Sequence, residues 1–338
     1  MRTFIIAELS ANHGHSLQTA LESVRAAKEA GADAIKIQTY TADTLTLDCR
    51  KPDFIVEGAE LWNGRSLYEL YSEAYTPWEW HEAIFEEARR CGLSCFSTPF
   101  DKTAVDFLET LGNPIYKIAS FEISDIPLIR YAASKGKPMI ISTGVATEED
   151  IRMAVDCCRS EGNGDITLLK CTSAYPAPVE DANLATIADL KSRFGVKAGL
   201  SDHSEGCEVA LAAVALGAEV IEKHFIIDRS IGGPDAAFSM QKDEFAAMCS
   251  SIRKVEAAIG SVHYPAEGEA GGWRFRRSLY VAEDIRKGEL FTEKNVRSVR
   301  PGFGMHPVRL GDILGRRASR DAEKGERFTQ DLIDDNGN

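Results

Sequence analysis

Short runs rich in β-branched and other apolar residues alternate along this chain with stretches whose apolar positions recur every three to four residues. The first kind predicts strands near 3–8, 33–39, 93–99, 115–120, 138–143, 166–173, 196–203 and 220–227. The second predicts helices near 16–30, 78–91, 101–111, 126–136, 147–160, 183–193, 205–217 and 241–259. Glycine closes several helices, as in Ala30-Gly31-Ala32-Asp33, Cys91-Gly92 and Leu216-Gly217-Ala218-Glu219, where a left-handed residue turns the chain into the next strand. Strand–helix alternation implies parallel strands joined by crossover helices, and eight such units predict a closed (β/α)₈ TIM barrel over residues 1–260.

Two segments break the rhythm. Residues 40–77 form a long insertion after the second strand, carrying Leu61-Trp62-Asn63-Gly64-Arg65, and loops on that side of a barrel shape the substrate site. Beyond residue 260, a glycine- and charge-rich stretch reads as a linker, 261–277. Ser278-Leu279-Tyr280-Val281 then opens a small, turn-rich domain over 278–338. No internal repeat interrupts this two-domain reading.

Charge narrows the partners. A net charge of −13 excludes a general nucleic-acid surface, so an anionic ligand must be gathered by a local cluster of Lys and Arg. Phe4-Ile5-Ile6-Ala7 runs straight into Glu8 and reads as a first strand, not a signal peptide. No apolar run reaches the roughly 20 residues that a membrane span requires. The eight cysteines are scattered without a CxxC pair, which points to reduced thiols and a cytoplasmic protein. Cys171 is read as a small buried hydrophobe rather than a nucleophile.

Polar and charged residues gather at the predicted C-terminal strand ends, where barrel enzymes place their chemistry. They are Glu8, Lys36 with Gln38, Thr98, Lys117 with Ser120 and Glu122, Ser142, Ser173 with Tyr175, Ser201 with His203, and His224. Strand side chains alternate in direction, so Lys36 and Gln38 share the barrel interior. Buried ammonium groups need anionic partners; Lys36 and Lys117 among Ser and Thr hydroxyls suit a ligand carrying both a phosphate and a carboxylate. His203 and His224, on neighbouring strands, can converge on one divalent transition metal, an exchangeable ion rather than structural zinc.

These residues lie within stretches that resemble the sialic acid synthase family. The stretches are Ala7-Glu8 through Ala11-Asn12-His13, Ala34-Ile35-Lys36-Ile37-Gln38, Phe96-Ser97-Thr98-Pro99, Tyr116-Lys117-Ile118-Ala119-Ser120, Ser142-Thr143-Gly144, Ser201-Asp202-His203, Glu222-Lys223-His224-Phe225 and Gly233-Pro234-Asp235. The resemblance extends to the C-terminal segment around Arg300-Pro301-Gly302, which is similar to the antifreeze-like (SAF) domain of that family. The insertion, together with Thr76-Pro77-Trp78-Glu79-Trp80-His81 and Lys170 to Pro176, resembles the pseudaminate-forming branch. Ser173 departs from the asparagine usual in neuraminate synthases.

The resemblance implies condensation of phosphoenolpyruvate with an open-chain 2,4-diacetamido-2,4,6-trideoxy-altrose. Lys117, Ser120, Ser142, Ser173 and Ser201 would hold the phosphate, with Lys36 and Thr98 on the carboxylate. Gln38, Tyr175, Asp235 and Arg300 would orient the sugar. Glu122 would deprotonate water, with Glu8 as a second carboxylate, and His203 and His224 would hold Mn²⁺, or else Mg²⁺ or Co²⁺. It further implies a domain-swapped homodimer in which Arg300 reaches the partner's site. The same reaction on N-acetylmannosamine or a legionaminate precursor, a metal-assisted aldolase or hydrolase, and a non-catalytic carbohydrate-binding protein are the alternatives. Retention of the lysines and carboxylates at the strand ends argues against the last of these.

Overall fold

In a computed structural model of the chain, residues 2–56, 63–266, 269 and 271–334 are described. The chain forms two compact units, Met1–Gly260 and Ser261–Asn338. In the first unit, eight parallel strands are hydrogen-bonded in chain order: β1 (Phe4–Glu8), β2 (Ala34–Thr39), β3 (Ser94–Pro99), β4 (Tyr116–Ile118), β5 (Met139–Ser142), β6 (Ile166–Cys171), β7 (Lys197–Asp202) and β8 (Val220–Ile226). β1 pairs with both β2 and β8, which closes the barrel. A two-residue strand, β9 (Met240–Gln241), extends the sheet in parallel beside the end of β8.

The predicted helices form at their predicted places because their ends are satisfied locally. Ser16 accepts a hydrogen bond from Thr19 N, Asp101 accepts from Thr103 N and Ala104 N, and Thr147 forms a reciprocal capping box with Asp150. Gly92, at φ 63°, supplies the left-handed turn that leads into β3. The strand predicted over 115–120 is shorter than expected. Glu122 N turns back to Ala119 O, so Ser120–Glu122 is a 3₁₀ turn that carries two candidate site residues past the end of β4. The insertion folds its own helices, Ala42–Leu45 and Leu67–Ala74. Leu61 and Trp62 lie outside the described residues.

Strand alternation builds two separate layers of core. Outward-facing residues such as Ile5, Ile35, Ile37, Ile118, Ile141 and Ile221 pack against the helices. Inward, Ile6, Ala34, Phe96, Ile140, Leu169 and Val220 form a small apolar plug. Two residues further along the same strands stand Glu8, Lys36, Thr98, Ser142, Cys171 and Glu222, so the next interior layer is polar. Gly199 takes its place in the plug because a Cβ there would lie 2.3 Å from Val220 O and 2.9 Å from Leu169 Cδ2.

The second unit contains a two-stranded antiparallel pair, β10 (Ser278–Val281) and β11 (Val296–Val299). Its own apolar core includes Leu279, Val281, Ile285, Phe291, Ile313, Phe328 and Ile333, with Phe291 edge-on to Phe328. Trp273–Phe275, inside the segment read as a linker, forms a 3₁₀ turn whose Arg274 O accepts from Gly302 N. No helix among the described residues is long and apolar enough to cross a membrane.

Candidate active site

The polar layer is organised around two buried lysines. Lys36, on β2, lies 2.8 Å from Glu8 Oε2 on β1 and 3.6 Å from Glu222 Oε1 on β8, and it donates to Thr98 Oγ1 on β3 at 3.2 Å. Lys117, on β4, donates to Ser142 Oγ at 2.7 Å and to Ile118 O at 3.0 Å, with Glu222 Oε1 3.9 Å away. Ser201, on β7, donates to the same Glu222 oxygen at 3.2 Å. Gln38 lies two residues beyond Lys36 on β2 and thus on the same inward face.

Burial governs the electrostatics of this layer. It raises Glu8 to about 7, an effect Lys36 only partly offsets and neighbouring Glu222 reinforces. In Glu222 burial is outweighed by Lys117 and Lys36, which hold its carboxyl below the ordinary value. Lys117 is pushed down by burial, whereas Glu222 and Glu8 keep Lys36 above its ordinary value despite burial. Glu122 has no ion pair among the described residues; burial lifts it to about 7, and its Oε2 is buried without a hydrogen-bond partner.

Beyond β5 the backbone itself lines the cluster. Gly144 N donates to Ser120 Oγ at 3.1 Å, and a Cβ on Gly144 would lie 2.2 Å from Ser173 Oγ, 2.9 Å from Ser120 Oγ and 3.2 Å from Cys171 Sγ. This is a small cradle that any side chain at 144 would fill. Lys117, Ser142, Ser120 and Ser173 thus meet on the β4–β6 side, and Lys36 with Thr98 on the β2–β3 side. The two groups suit the two ends of one anionic ligand.

On the β7–β8 side, the His203 and His224 rings stand 5.3 Å apart, with Tyr175 4.3 Å from the first and 6.2 Å from the second. His203 Nδ1 lies 2.9 Å from Thr172 O and so donates to it; against burial, the Cys171 thiol and this carbonyl hold the ring above its ordinary value. His224 is held well below its ordinary value, first by burial and then by the charges of His203 and Lys36, and is therefore neutral. Its Nδ1 is buried without a hydrogen-bond partner. Asp235 lies 3.9 Å from that nitrogen and accepts from Ala11 N at 3.3 Å. The His224 imidazole is neutral with an orphaned nitrogen, and His203, once it gives up its proton, could join it in holding a divalent cation. No cluster of three His, Cys, Asp or Glu among the described residues forms a complete shell, so water or substrate would supply the remaining ligands.

Fourteen of the fifteen residues named from sequence therefore belong to the barrel unit, at or beyond its strand ends, and Arg300 belongs to the second unit. Sequence reasoning missed three participants. Glu222 bridges both lysines. Gly144 shapes the cradle. Cys171, read as a buried hydrophobe, is indeed buried, yet its Sγ lies 3.7 Å from His203 Nδ1 and 3.9 Å from Ser173 Oγ. His203 and Lys117 overcome burial there and bring the thiol down to about 7. The inward parity shared with Leu169 was the available signal for Cys171.

A closed barrel whose interior sets two lysine-and-hydroxyl clusters beside a histidine pair defines a class of barrel proteins with a charged interior site suited to a compact anionic ligand. Within that class the chain belongs to the NeuB family, which it matches over residues 23–264, with a SAF domain matched at 276–334. It is 52% identical over 330 residues to the pseudaminic acid synthase of Campylobacter jejuni strain 81-176, covering 97% of this chain and 96% of that one. The pseudaminic acid synthase of Helicobacter pylori is 46% identical over 332 residues, covering 98% and 97%. Among solved structures, the spore coat polysaccharide biosynthesis protein spsE of Bacillus subtilis superposes with a TM-score of 0.67 at 35% identity, covering 98% of this chain and 95% of that one.

Proposed function

We propose that this protein is a sugar-acid synthase that joins phosphoenolpyruvate to the open-chain form of 2,4-diacetamido-2,4,6-trideoxy-β-L-altropyranose, giving pseudaminate and phosphate. The observation that carries the reading is the pairing of two buried lysine clusters with near-full-length identity of 46–52% to pseudaminic acid synthases.

Lys36 and Thr98 take the carboxylate of phosphoenolpyruvate, and Lys117, Ser120, Ser142, Ser173 and Ser201 take its phosphate, with Gly144 leaving room for it. Held at both ends, the enol carbon C3 faces the sugar aldehyde, and this positioning replaces the entropy of a bimolecular encounter. His203 and His224 would hold a divalent cation, Mn²⁺ by preference with Mg²⁺ or Co²⁺ as alternatives, which when bound would supply Lewis-acid polarisation to the aldehyde oxygen. As C3 bonds to the aldehyde carbon, positive charge develops at C2. Glu122, poised near neutrality, takes a proton from the water that adds there. The tetrahedral adduct then breaks its C2–O bond and releases phosphate. Glu8 stands beside Lys36 as a second carboxylate, while Gln38, Tyr175 and Asp235 orient the sugar. Arg300 does so from a second copy of the chain in a domain-swapped homodimer working in the cytoplasm.

The test is phosphate release from phosphoenolpyruvate with Mn²⁺, comparing the diacetamido-altrose with N-acetylmannosamine and the legionaminate precursor, with and without chelator. Chelator-sensitive release with the altrose sugar alone is expected. Preference for another sugar would change the product, and no release with any sugar would overturn the synthase reading. His203→Ala should lose both turnover and the rise in melting temperature on adding Mn²⁺; retention of full activity would remove the cation from that residue.

A further inference from the structure

The insertion and the loop after β2 bring two phenols to the mouth of the site that the chemistry above leaves unused. Tyr40 follows β2 directly. Its parity continues Lys36 and Gln38, so it stands one layer above them on the inward side. The register of β2 and β3 pairs Gln38 with Thr98 and Thr39 with Pro99, which sets Tyr40 opposite Phe100. Their ring centroids are 5.1 Å apart at 74°. From the insertion helix Leu67–Ala74, Tyr71 meets the other side of Tyr40, with centroids 5.9 Å apart at 79°. Trp78 Nε1 donates to Tyr40 O at 3.1 Å and pins the backbone that presents the ring.

Tyr40 is only 3% exposed, yet its hydroxyl makes no hydrogen bond among the described residues, and neither does that of the half-buried Tyr71. Burial of Tyr40 and the nearby carboxylates Asp235 and Glu8 keep its phenol protonated, and burial with Glu122 does the same for Tyr71. Each is therefore a neutral donor with no acceptor among the described residues, set against aromatic carbon and close enough to the site's carboxylates to feel their charge. A hydroxyl-only ligand could use the donors but not the apolar ring surface. An acetamido group uses both, its carbonyl accepting from a phenol and its methyl lying against the rings.

We infer that Tyr40 and Tyr71, with Phe100 behind them, form the subsite that recognises an acetamido group of the sugar, and so determine which amino-sugar the enzyme accepts. This rests on the synthase reading above, and the experiment separates the two. The wild-type enzyme is first assayed for phosphate release on the sugar panel, which tests the parent reading alone. Tyr40→Phe and Tyr71→Phe are then assayed on whichever sugar wild type accepts. Each ring is kept and each donor removed.

The expected result is a KM for the sugar raised roughly fivefold to tenfold in each variant, the loss of one hydrogen bond to a neutral acceptor. KM for phosphoenolpyruvate and the melting temperature should stay unchanged. With analogues in which the 2- or the 4-acetamido group is replaced by hydroxyl, the Tyr40→Phe penalty should vanish for one of them. An unchanged sugar KM in both variants overturns the subsite. So does a penalty shared equally by phosphoenolpyruvate and the sugar, which would mark a structural role only, and so does a penalty that persists with both analogues.

Discussion

In its proposed role, Glu122 would serve catalysis against the interest of the fold. Its carboxyl is raised to about 7 in the folded protein, mainly by burial, from an ordinary value of 4.5. Between those two values the folded state holds a proton that the unfolded state has released, so stability falls as pH rises through that window. Glu122→Gln removes this dependence. The variant should melt higher than wild type at pH 8, the gap should close towards pH 4.5, and turnover should drop by about 10²–10⁴ if the carboxylate takes the proton from water. In wild type, the same assignment makes turnover rise with pH through about 7. Melting curves at the two pH values together with a pH–rate profile check both halves, and a fully active Gln variant would take Glu122 out of the water step.

At the level of the elements, adjacent charges on one strand have opposite fates. On β8, Glu222 faces inward to Lys36 and Lys117, while Lys223 faces outward and pairs with Asp202 of β7 at 2.7 Å, also donating to Ser204 O at 2.7 Å. Both sets are buried, but only the inner one belongs to the proposed ligand site. Removing one partner of a buried pair leaves an uncompensated charge, so Asp202→Asn should cost about 3–5 kcal/mol in urea unfolding. KM for phosphoenolpyruvate should barely move. A large change in that KM with stability intact would mean that the outer pair reaches the site after all. The residues that show this division, Glu222 and Lys223, are neighbours in sequence that occupy opposite faces of the sheet.

For the whole molecule, the proposed exchange of small domains between two copies has a direct consequence. If Arg300 serves the partner's barrel, Glu122→Gln and Arg300→Ala damage complementary halves of a shared site. Mixing the two inactive proteins under conditions that let subunits exchange should form heterodimers in which one of two sites is intact, restoring about a quarter of wild-type activity with random pairing. No recovery, with exchange verified by a size or mass tag, would place Arg300 outside the partner's site.

Much of the barrel was legible in the chain, because alternating side chains in eight short runs and 3.6-residue periodicity between them are properties of single elements. The boundaries that failed did so where a local bond competed with the ladder, as at Ala119–Glu122. Lys36, Thr98, Lys117, Ser142 and the two histidines could be named from sequence because each is a polar residue at the end of an apolar strand, which burial alone would not choose. Glu222, Cys171, Gly144 and Tyr40 could not be assigned in that way. A carboxylate beside a lysine, a thiol, a glycine and a tyrosine are all ordinary in sequence. Their meaning comes from distances across the closed barrel, between strands far apart in the chain. The sequence by itself determined the elements, their order and the chemical kinds of group at their ends; only closure of the sheet decided which of those groups share one small, buried volume, where low dielectric and crowding give them their chemistry.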